Sequence, residues 1–200
     1  DPVDSVNAFN KLVDTEKVVA VIGTNWSSCN IAMAPIADQK KVPLIGTATS
    51  NPKVTVDENG NLHPYSFRIG FIDPFQGKVL ASLARNEIKA ESAAVIVDIG
   101  SDYSTGLSEF FIKQFEESGG KIVARVDAHS GDNDFRAQLS KIAAAKPDVL
   151  LIPWIYKDVA LIANQARELG IDAVFLGGDG WDSKELITMA GPAMQGGSYT

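Results

Sequence analysis

Hydroxyl side chains follow two apolar segments near the beginning of the chain. Ser27 comes after VVAVIG (18–23), at the start of a helical pattern. The free N–H groups and hydroxyls of a helix N-terminus favour an anion such as a carboxylate, although Ser27 is equally well explained as a helix N-cap. Thr49 and Ser50 follow the next apolar segment, VPLIGTA (42–48). These two hydroxyls can bind either end of a zwitterion or form an ordinary Ser-type turn.

A carboxylate and several aromatic rings follow later apolar segments. Asp179 lies between glycines in GGDGWDS, where it either pairs with an ammonium group or forms an Asp-Gly turn. Tyr103 stands just before a helical pattern, so its ring either lies over a ligand or covers a core. Trp154 and Trp181 form apolar walls if they face a cleft, and otherwise pack in the interior. The combination of hydroxyl groups with a carboxylate predicts a ligand that has both a carboxylate and an ammonium group.

The elements that must position these residues alternate between strand and helix. The predicted strands are the six short apolar runs 18–23, 42–48, 93–100, 121–128, 148–154 and 173–180. Helical patterns lie between them, and the first is predicted to have Asp1 as its N-cap and Pro2 as its first residue. Such alternation predicts an α/β fold whose parallel sheets have right-handed crossovers. Ligands of these sheets bind beyond the carboxyl ends of the strands, where the residues above are found.

The composition narrows the class of function. The formal net charge of −7 would repel a phosphate backbone, so no nucleic-acid partner is expected. The one cysteine and two histidines form no cluster with the spacing of metal ligands, so we expect neither a metal site nor another cofactor. No apolar run reaches the roughly 18 residues that span a bilayer. The sequence motifs of phosphate loops, nucleophile elbows and dinucleotide turns are missing, which favours a non-catalytic binding protein over an enzyme.

Several segments together resemble the branched-chain amino-acid-binding (Leu/Ile/Val-type) proteins of ABC importers, which have the type I periplasmic-binding fold. The segments are DPVDSVNAFNKLV, VVAVIGTNWSSC, IGTATSNPKVT, FRIGFIDPFQG, DIGSDYSTGL, GDNDFRAQLSKI, KPDVLL, ANQARELGI and FLGGDGWDS. No single segment is diagnostic, but their order and spacing match over the whole length of the chain. The resemblance implies two doubly wound, Rossmann-like α/β lobes that hold an amino acid in the cleft between them.

The resemblance also implies which residues contact the ligand in its polar part. Ser27 matches the serine that binds the substrate carboxylate in the family. Ala48 and Ser50, with Thr49 between them, match the loop that binds both the ammonium and the carboxylate groups. Asp179 matches the acidic residue that pairs with the ammonium group; that residue is usually glutamate, so the carboxylate here is one carbon shorter.

Further positions match family residues near the ligand. Tyr103 matches a tyrosine of the binding site. Ile155 falls where an aromatic residue is usual, and its neighbours Trp154 and Tyr156 are candidate substitutes. Trp26 lies near the expected substrate side chain, where it either makes the pocket smaller or stacks against a ring. The ligand implied is an amino acid with an aliphatic, branched side chain.

The resemblance divides the chain at about Ile72, before Asp73-Pro74. Residues 1–72 are predicted to be an incomplete first lobe and residues 73–200 most of the second lobe of a longer protein. We expect a monomer located in the periplasm or outside the cell, either free or lipid-anchored, that delivers its ligand to a membrane permease. The alternatives are a ligand-sensing domain of a receptor or regulator on the same fold, and an enzyme of the doubly wound class.

Overall fold

The computed structural model describes all 200 residues, which form two compact units. Unit 1 comprises Asp1–Asp73 together with Ser101–Tyr103, and unit 2 comprises Pro74–Gly100 together with Ser104–Thr200. Each unit has its own sheet. The assignment of residues 1–72 and 73–200 to two lobes of a longer protein stays a prediction.

Unit 1 has a three-stranded parallel sheet in the order β1-β2-β3. Asp1 caps the first helix, as predicted, because its side chain accepts a hydrogen bond of 3.0 Å from the N–H of Asp4. Phe9, Met33 and Leu44 form the centre of the core of this unit. The elements of unit 1 are α1 (Pro2–Asp14), β1 (Val21–Ile22), α2 (Ser27–Lys40), β2 (Leu44–Gly46), a 3₁₀ turn (Pro52–Val54) and β3 (Ser66–Arg68).

Unit 2 contains a five-stranded parallel sheet. Its elements are α3 (Asp73–Ser82, with its first residue in unit 1), a π-helical turn (Leu83–Glu87), β4 (Ser92–Asp98), α4 (Asp102–Glu117, with its first two residues in unit 1), β5 (Lys121–Ala128), α5 (Arg136–Ala145), β6 (Val149–Leu151), α6 (Tyr156–Glu168), β7 (Val174–Gly177), a 3₁₀ turn (Asp179–Trp181), α7 (Lys184–Ala190), a second 3₁₀ turn (Gly191–Met194) and β8 (Ser198–Tyr199).

The strand order in unit 2 is β5-β4-β6-β7-β8, so the chain adds strands on both sides of β4. Right-handed crossovers in opposite directions place helices on opposite faces of the sheet, which is the doubly wound arrangement. The direction of winding reverses between β4 and β6. In sheets of this kind, ligands bind beyond the carboxyl ends of the strands at such a reversal. The predicted α/β fold with parallel sheets is confirmed.

Most of the strands are shorter than the apolar runs that predicted them. The run 121–128 is a strand throughout, but only Val21–Ile22 of the run 18–23 and Val149–Leu151 of the run 148–154 are paired. β1 lies at the edge of its sheet and contacts β2 alone, through two residue pairs. Val19 is 87% exposed, which shows that a β-branched residue does not by itself extend a strand beyond its partner.

Candidate functional site

Ser27 begins α2 but is not its N-cap. Trp26 occupies the N-cap position with extended backbone angles and makes no side-chain capping bond. Ser27 is therefore the first helical residue, and its buried hydroxyl accepts a hydrogen bond of 3.3 Å from the N–H of Asn51. The N-cap explanation of Ser27 is wrong, because capping requires a position one residue earlier. Instead, the hydroxyl links the start of α2 to the segment that follows β2.

The residues between β2 and the 3₁₀ turn, 47–51, form what we call the β2 loop. Thr49 and Ser50 are buried, and neither hydroxyl has a hydrogen-bond partner within the protein. The backbone around them is fixed by two hydrogen bonds. The carbonyl of Ser50 accepts a hydrogen bond of 2.9 Å from the N–H of Asp73, and the carbonyl of Asn51 accepts one of 2.7 Å from Arg68 Nη1. A buried hydroxyl without a partner costs about 1–3 kcal/mol. The β2 loop therefore presents two preorganised hydroxyls that a polar ligand or a water can satisfy.

The residues 23–26, between β1 and α2, form the β1 loop, which is joined to the β2 loop. The N–H of Thr47 donates to the carbonyl of Thr24 at 3.2 Å, and the Thr47 hydroxyl is bonded to Asn25 Oδ1. Trp26, in the same loop, leaves 50% of its surface exposed. A half-exposed indole offers apolar surface for a ligand side chain.

Asn30 was not predicted as a site residue, although it lies at the junction of these two loops. Its Oδ1 accepts a hydrogen bond of 2.9 Å from the N–H of Thr24, whereas its Nδ2 is buried and has no partner. A Cβ placed on Gly46 would lie 2.5 Å from Asn30 Nδ2 and 2.2 Å from Thr49 Oγ1. The two polar atoms therefore converge over a glycine. The available sequence signal was a polar residue one helical turn after Ser27, which alone does not distinguish Asn30 from a solvent-exposed residue.

Tyr103 lies in a short segment that groups with unit 1. The N–H of Asp102 donates to Ser28 Oγ at 3.0 Å, and Asn51 Nδ2 donates to the carbonyl of Asp102 at 2.6 Å. The segment is thus tied both to the start of α2 and to the β2 loop. Tyr103 itself is 8% exposed. Ala48, by contrast, is exposed at the surface of the β2 loop.

Asp179 in unit 2 is the predicted ammonium partner, and its side chain is fixed by another residue. It begins the 3₁₀ turn that follows β7 and is partly buried. Gln76 Nε2 donates to Asp179 Oδ1 at 3.1 Å, and the N–H of Asp179 donates to Gln76 Oε1 at 3.1 Å. Sequence reasoning did not find Gln76, because the two residues are 103 positions apart and no local pattern relates them.

Trp154 and Trp181 pack in the core of unit 2. Trp154 is 2% exposed, its Nε1 donates to the carbonyl of Ile96 at 2.8 Å, and its ring meets Phe135 edge-on with centroids 5.5 Å apart. Trp181 Nε1 donates to the carbonyl of Ile152 at 2.8 Å. The positions of both tryptophans agree with packing in the interior rather than with a place in the wall of a cleft. Ile155, at the N-cap of α6, is partly buried and follows β6 at the reversal of the sheet.

The family that these features point to is decided by comparison with known sequences. The sequence pattern of the family described as periplasmic binding protein matches residues 1–200. The chain belongs to this family. It is 31% identical over 96% of its length to an amino acid binding protein of Pseudomonas aeruginosa, and 31% identical over 98% of its length to Leu/Ile/Val-binding protein homolog 2 of Brucella abortus. The chain spans about half the length of these two relatives, 50% and 51% respectively.

Solved structures agree with membership of the periplasmic binding protein family. The leucine binding protein LivK of Thermotoga maritima is 42% identical, with a TM-score of 0.92 over the whole chain and 55% of that protein. The branched-chain amino acid transporter substrate-binding protein LivJ of Streptococcus pneumoniae, solved in complex with isoleucine, is 32% identical, with a TM-score of 0.82 over 96% of the chain and 53% of that protein. The resemblance to the Leu/Ile/Val-type binding proteins is confirmed.

Within the periplasmic binding protein fold, the predicted site residues fall into two sets. Unit 1 holds Thr49 and Ser50 in the β2 loop and Ser27 at the start of α2, which is bonded to that loop. Trp26 lies in the β1 loop, Ala48 lies in the β2 loop, and Tyr103 lies in the segment tied to the β2 loop. Unit 2 holds Asp179 beyond β7 and Ile155 beyond β6. That each residue contacts a ligand stays a prediction. No helix of the structure combines the length and the apolar character needed to cross a bilayer.

Proposed function

We propose that the full-length protein is an extracytoplasmic solute-binding protein of an ABC importer that binds an amino acid and delivers it to a membrane permease. The observation that carries the proposal is the buried, unpartnered hydroxyl of Ser50 in a loop that is bonded to Ser27. Hydroxyls and backbone N–H groups in this arrangement suit a carboxylate. The names of the relatives, which include amino-acid- and Leu/Ile/Val-binding proteins, support the same ligand class.

The ammonium group of the ligand is assigned to Asp179. A carboxylate held by a buried amide has a fixed direction, and a charge-assisted hydrogen bond to an ammonium group is about twice as strong as a neutral one. Ser27 and Ser50 of unit 1 and Asp179 of unit 2 together account for both charged ends of a zwitterion. A simple carboxylate or a sugar would leave one of these groups unused.

The side chain of the ligand is proposed to be aliphatic and branched. Half-exposed Trp26 and partly buried Ile155 supply apolar surface, and burying such surface contributes about 25 cal/mol per Å². Trp154 is left out of the proposed set because core packing accounts for its position. The protein is proposed to act outside the cytoplasm, in the periplasm or at the cell surface, as a binding protein without catalytic activity.

The test is calorimetric titration of the full-length protein with each of the twenty amino acids, followed by analysis for products. We expect tight binding of leucine, isoleucine or valine and recovery of the ligand unchanged. Ser50→Ala should weaken binding by about tenfold, since the loss of a hydrogen bond to a charged group costs about 1.5 kcal/mol or more. Ser108→Ala is the matched control, because it removes a buried hydroxyl that donates only to the helical carbonyl of Ser104.

Two outcomes would contradict the proposal. Consumption of the ligand would identify an enzyme. Preference for a sugar or a simple carboxylate, with unchanged affinity in Ser50→Ala, would remove the assignment of the β2 loop to an amino acid.

A further inference from the structure

A fully buried amide in unit 2 contacts Asp179 at two points. Gln76 lies in the first turn of α3 and has no exposed surface. Its Nε2 donates to Asp179 Oδ1, and its Oε1 accepts from the Asp179 backbone N–H, both at 3.1 Å. One contact fixes the carboxylate and the other fixes the backbone from which it extends. Together they set both the position and the rotamer of the Asp179 side chain.

The orientation of the Gln76 amide follows from its partners. A backbone N–H can only donate, so the atom that faces the N–H of Asp179 must be the amide oxygen. The same Oε1 accepts a second hydrogen bond of 2.8 Å from the Thr200 hydroxyl. With the oxygen held by two donors, the NH₂ group is directed at the carboxylate. An amide in the flipped orientation would place its NH₂ group against the N–H of Asp179.

Burying an amide is costly unless its hydrogen bonds are made, and an apolar residue would fill the same space at lower cost. The partner of the Gln76 amide is the Asp179 carboxylate, which is the group proposed to bind the ammonium group of the ligand. Gln76 Nε2 donates to that carboxylate at Oδ1.

We infer that Gln76 is a positioning residue for amino-acid binding, which acts by holding the Asp179 carboxylate in the direction in which it meets the ammonium group of the ligand. This inference rests on the proposed function of Asp179. Because Gln76 contacts Asp179 at two points, its effect on affinity is expected to pass through Asp179.

The test is a double-mutant cycle on the full-length protein, with leucine affinity measured by calorimetry. Gln76→Met keeps the length of the side chain and removes both hydrogen bonds. We expect it to weaken leucine binding at least about fivefold in the wild-type background and less than twofold in the Asp179→Asn background. A purely structural role for Gln76 would produce the same fold loss in both backgrounds.

Gln165→Met is the matched control, because Gln165 is another buried amide of unit 2 that bonds to backbone groups at both ends, the N–H of Phe135 and the carbonyl of Asn133. It should lower the melting temperature without changing leucine affinity. Gln76→Asn, which stays polar but is one carbon too short to make both contacts, is the second variant if Gln76→Met does not fold, and the same fivefold loss is expected.

The outcomes separate the inference from the proposed function. If Asp179→Asn weakens leucine binding but both Gln76 variants change affinity less than twofold, or reduce it equally in both backgrounds, the positioning role is overturned and the proposed function stands. If Asp179→Asn itself leaves leucine affinity unchanged, the assignment of Asp179 to the ammonium group is overturned, and the positioning role with it.

Discussion

The missing side chain of Gly46 determines how closely the two loops of unit 1 pack. Asn30 Nδ2 and Thr49 Oγ1 both approach the place that a Cβ would occupy, within 2.5 and 2.2 Å. Neither atom can retreat easily, since Asn30 holds the β1 loop through Thr24 and both side chains are fully buried. A larger residue at this position would have to displace one of the loops.

We therefore expect Gly46→Ala to weaken amino-acid binding by more than tenfold in the full-length protein, because the shift displaces the neighbouring Ser50 hydroxyl. Gly70→Ala is the matched control in the same unit: it adds a Cβ with no atom within 4 Å and should leave affinity and stability unchanged. Titration calorimetry on both variants checks the prediction. Equal affinities would show that the β2 loop can adapt without loss of its binding geometry.

Two aspartates of unit 2 should respond to pH with opposite signs. Burial raises the pKa of the Asp98 carboxyl, and the nearby charge of Asp158 acts in the same direction, against hydrogen bonds from backbone N–H groups and the charge of His129. Hydrogen bonds from the side chain and the backbone N–H of Ser92 lower the pKa of Asp148, with a smaller contribution from the backbone N–H of Glu91, and together they outweigh the opposite effect of burial. The fold thus disfavours the charged form of Asp98 and favours the charged form of Asp148.

The sign of each effect on stability follows from linkage. Asp98 contributes most to the free energy of unfolding below its ordinary pKa, and this contribution is lost as pH rises through its raised pKa in the folded protein. At pH 7 a buried charge therefore remains, and Asp98→Asn, which removes that charge, should raise the melting temperature. Asp148 contributes to the free energy of unfolding above its ordinary pKa, and this contribution is lost as pH falls through its lowered pKa in the folded protein. Asp148→Asn should therefore lower the free energy of unfolding at pH 7, by only about 0.5–1 kcal/mol because the site is exposed. In melting experiments, the difference in stability between each variant and the wild type should shrink as the pH is lowered towards 3. A rise in stability from Asp148→Asn at pH 7 would contradict this account.

At the scale of elements, two helices end in a left-handed residue that is lysine rather than glycine. Lys41 ends α2 with φ 55°, and Lys146 ends α5 with φ 47°. α6 and α4 are followed instead by Gly170 and Gly119, with φ of 71° and 83°. The left-handed conformation costs a residue with a Cβ about 1–2 kcal/mol, and glycine avoids that cost.

Lys146→Gly should therefore increase the free energy of unfolding by roughly 1 kcal/mol, after allowance for the greater freedom of glycine in the unfolded chain. Lys146→Ala is the control, because it removes the same charge but keeps the strained conformation, and it should give no gain. Urea unfolding of the two variants measures the difference. Equal stabilities of the glycine and alanine variants would mean that backbone strain at this cap is negligible.

The sequence predicted the type and order of the elements better than their lengths. The N-cap at Asp1 and the strand 121–128 were predicted correctly because both depend on local chemistry. The run 148–154 was predicted as one strand, but pairing stops at Leu151 and Trp154 turns into the core. Where a strand ends depends on its neighbours in the sheet, and those neighbours are set by long-range contacts that a local pattern does not contain.

The same distinction applies to the candidate site. Loops beyond strand ends can be located from the alternation of elements, and Ser27, Ser50 and Asp179 fall in such loops or directly after them. Asn30 and Gln76 could not be found in that way, since their importance lies in contacts with Thr24 and Asp179 that only the folded chain creates. Supporting residues of a site are therefore harder to predict than the loops that they support.

At the scale of the whole molecule, the same architectural rule operates twice. Both units have parallel sheets, and in both the candidate residues follow the carboxyl ends of strands: β1 and β2 in unit 1, β6 and β7 in unit 2. The unit 1 loops offer hydroxyls suited to an anion, and unit 2 offers a carboxylate suited to a cation. The proposed ligand, an amino acid, carries both kinds of charge.

Ligand binding should accordingly stabilise the full-length protein less when either set of groups is altered. A ligand that binds the folded state alone adds about 2.7 kcal/mol at 100 times its Kd. With leucine fixed at that concentration for the wild type, a variant that binds tenfold more weakly should lose about 1.3 kcal/mol of this stabilisation. Ser50→Ala in unit 1 and Asp179→Asn in unit 2 should each reduce the leucine-induced rise in melting temperature, while the melting temperatures without leucine stay close to that of the wild type. If only one of the two substitutions reduces the rise, the amino acid is held by the groups of that unit alone, and the other charge of the zwitterion is satisfied by water.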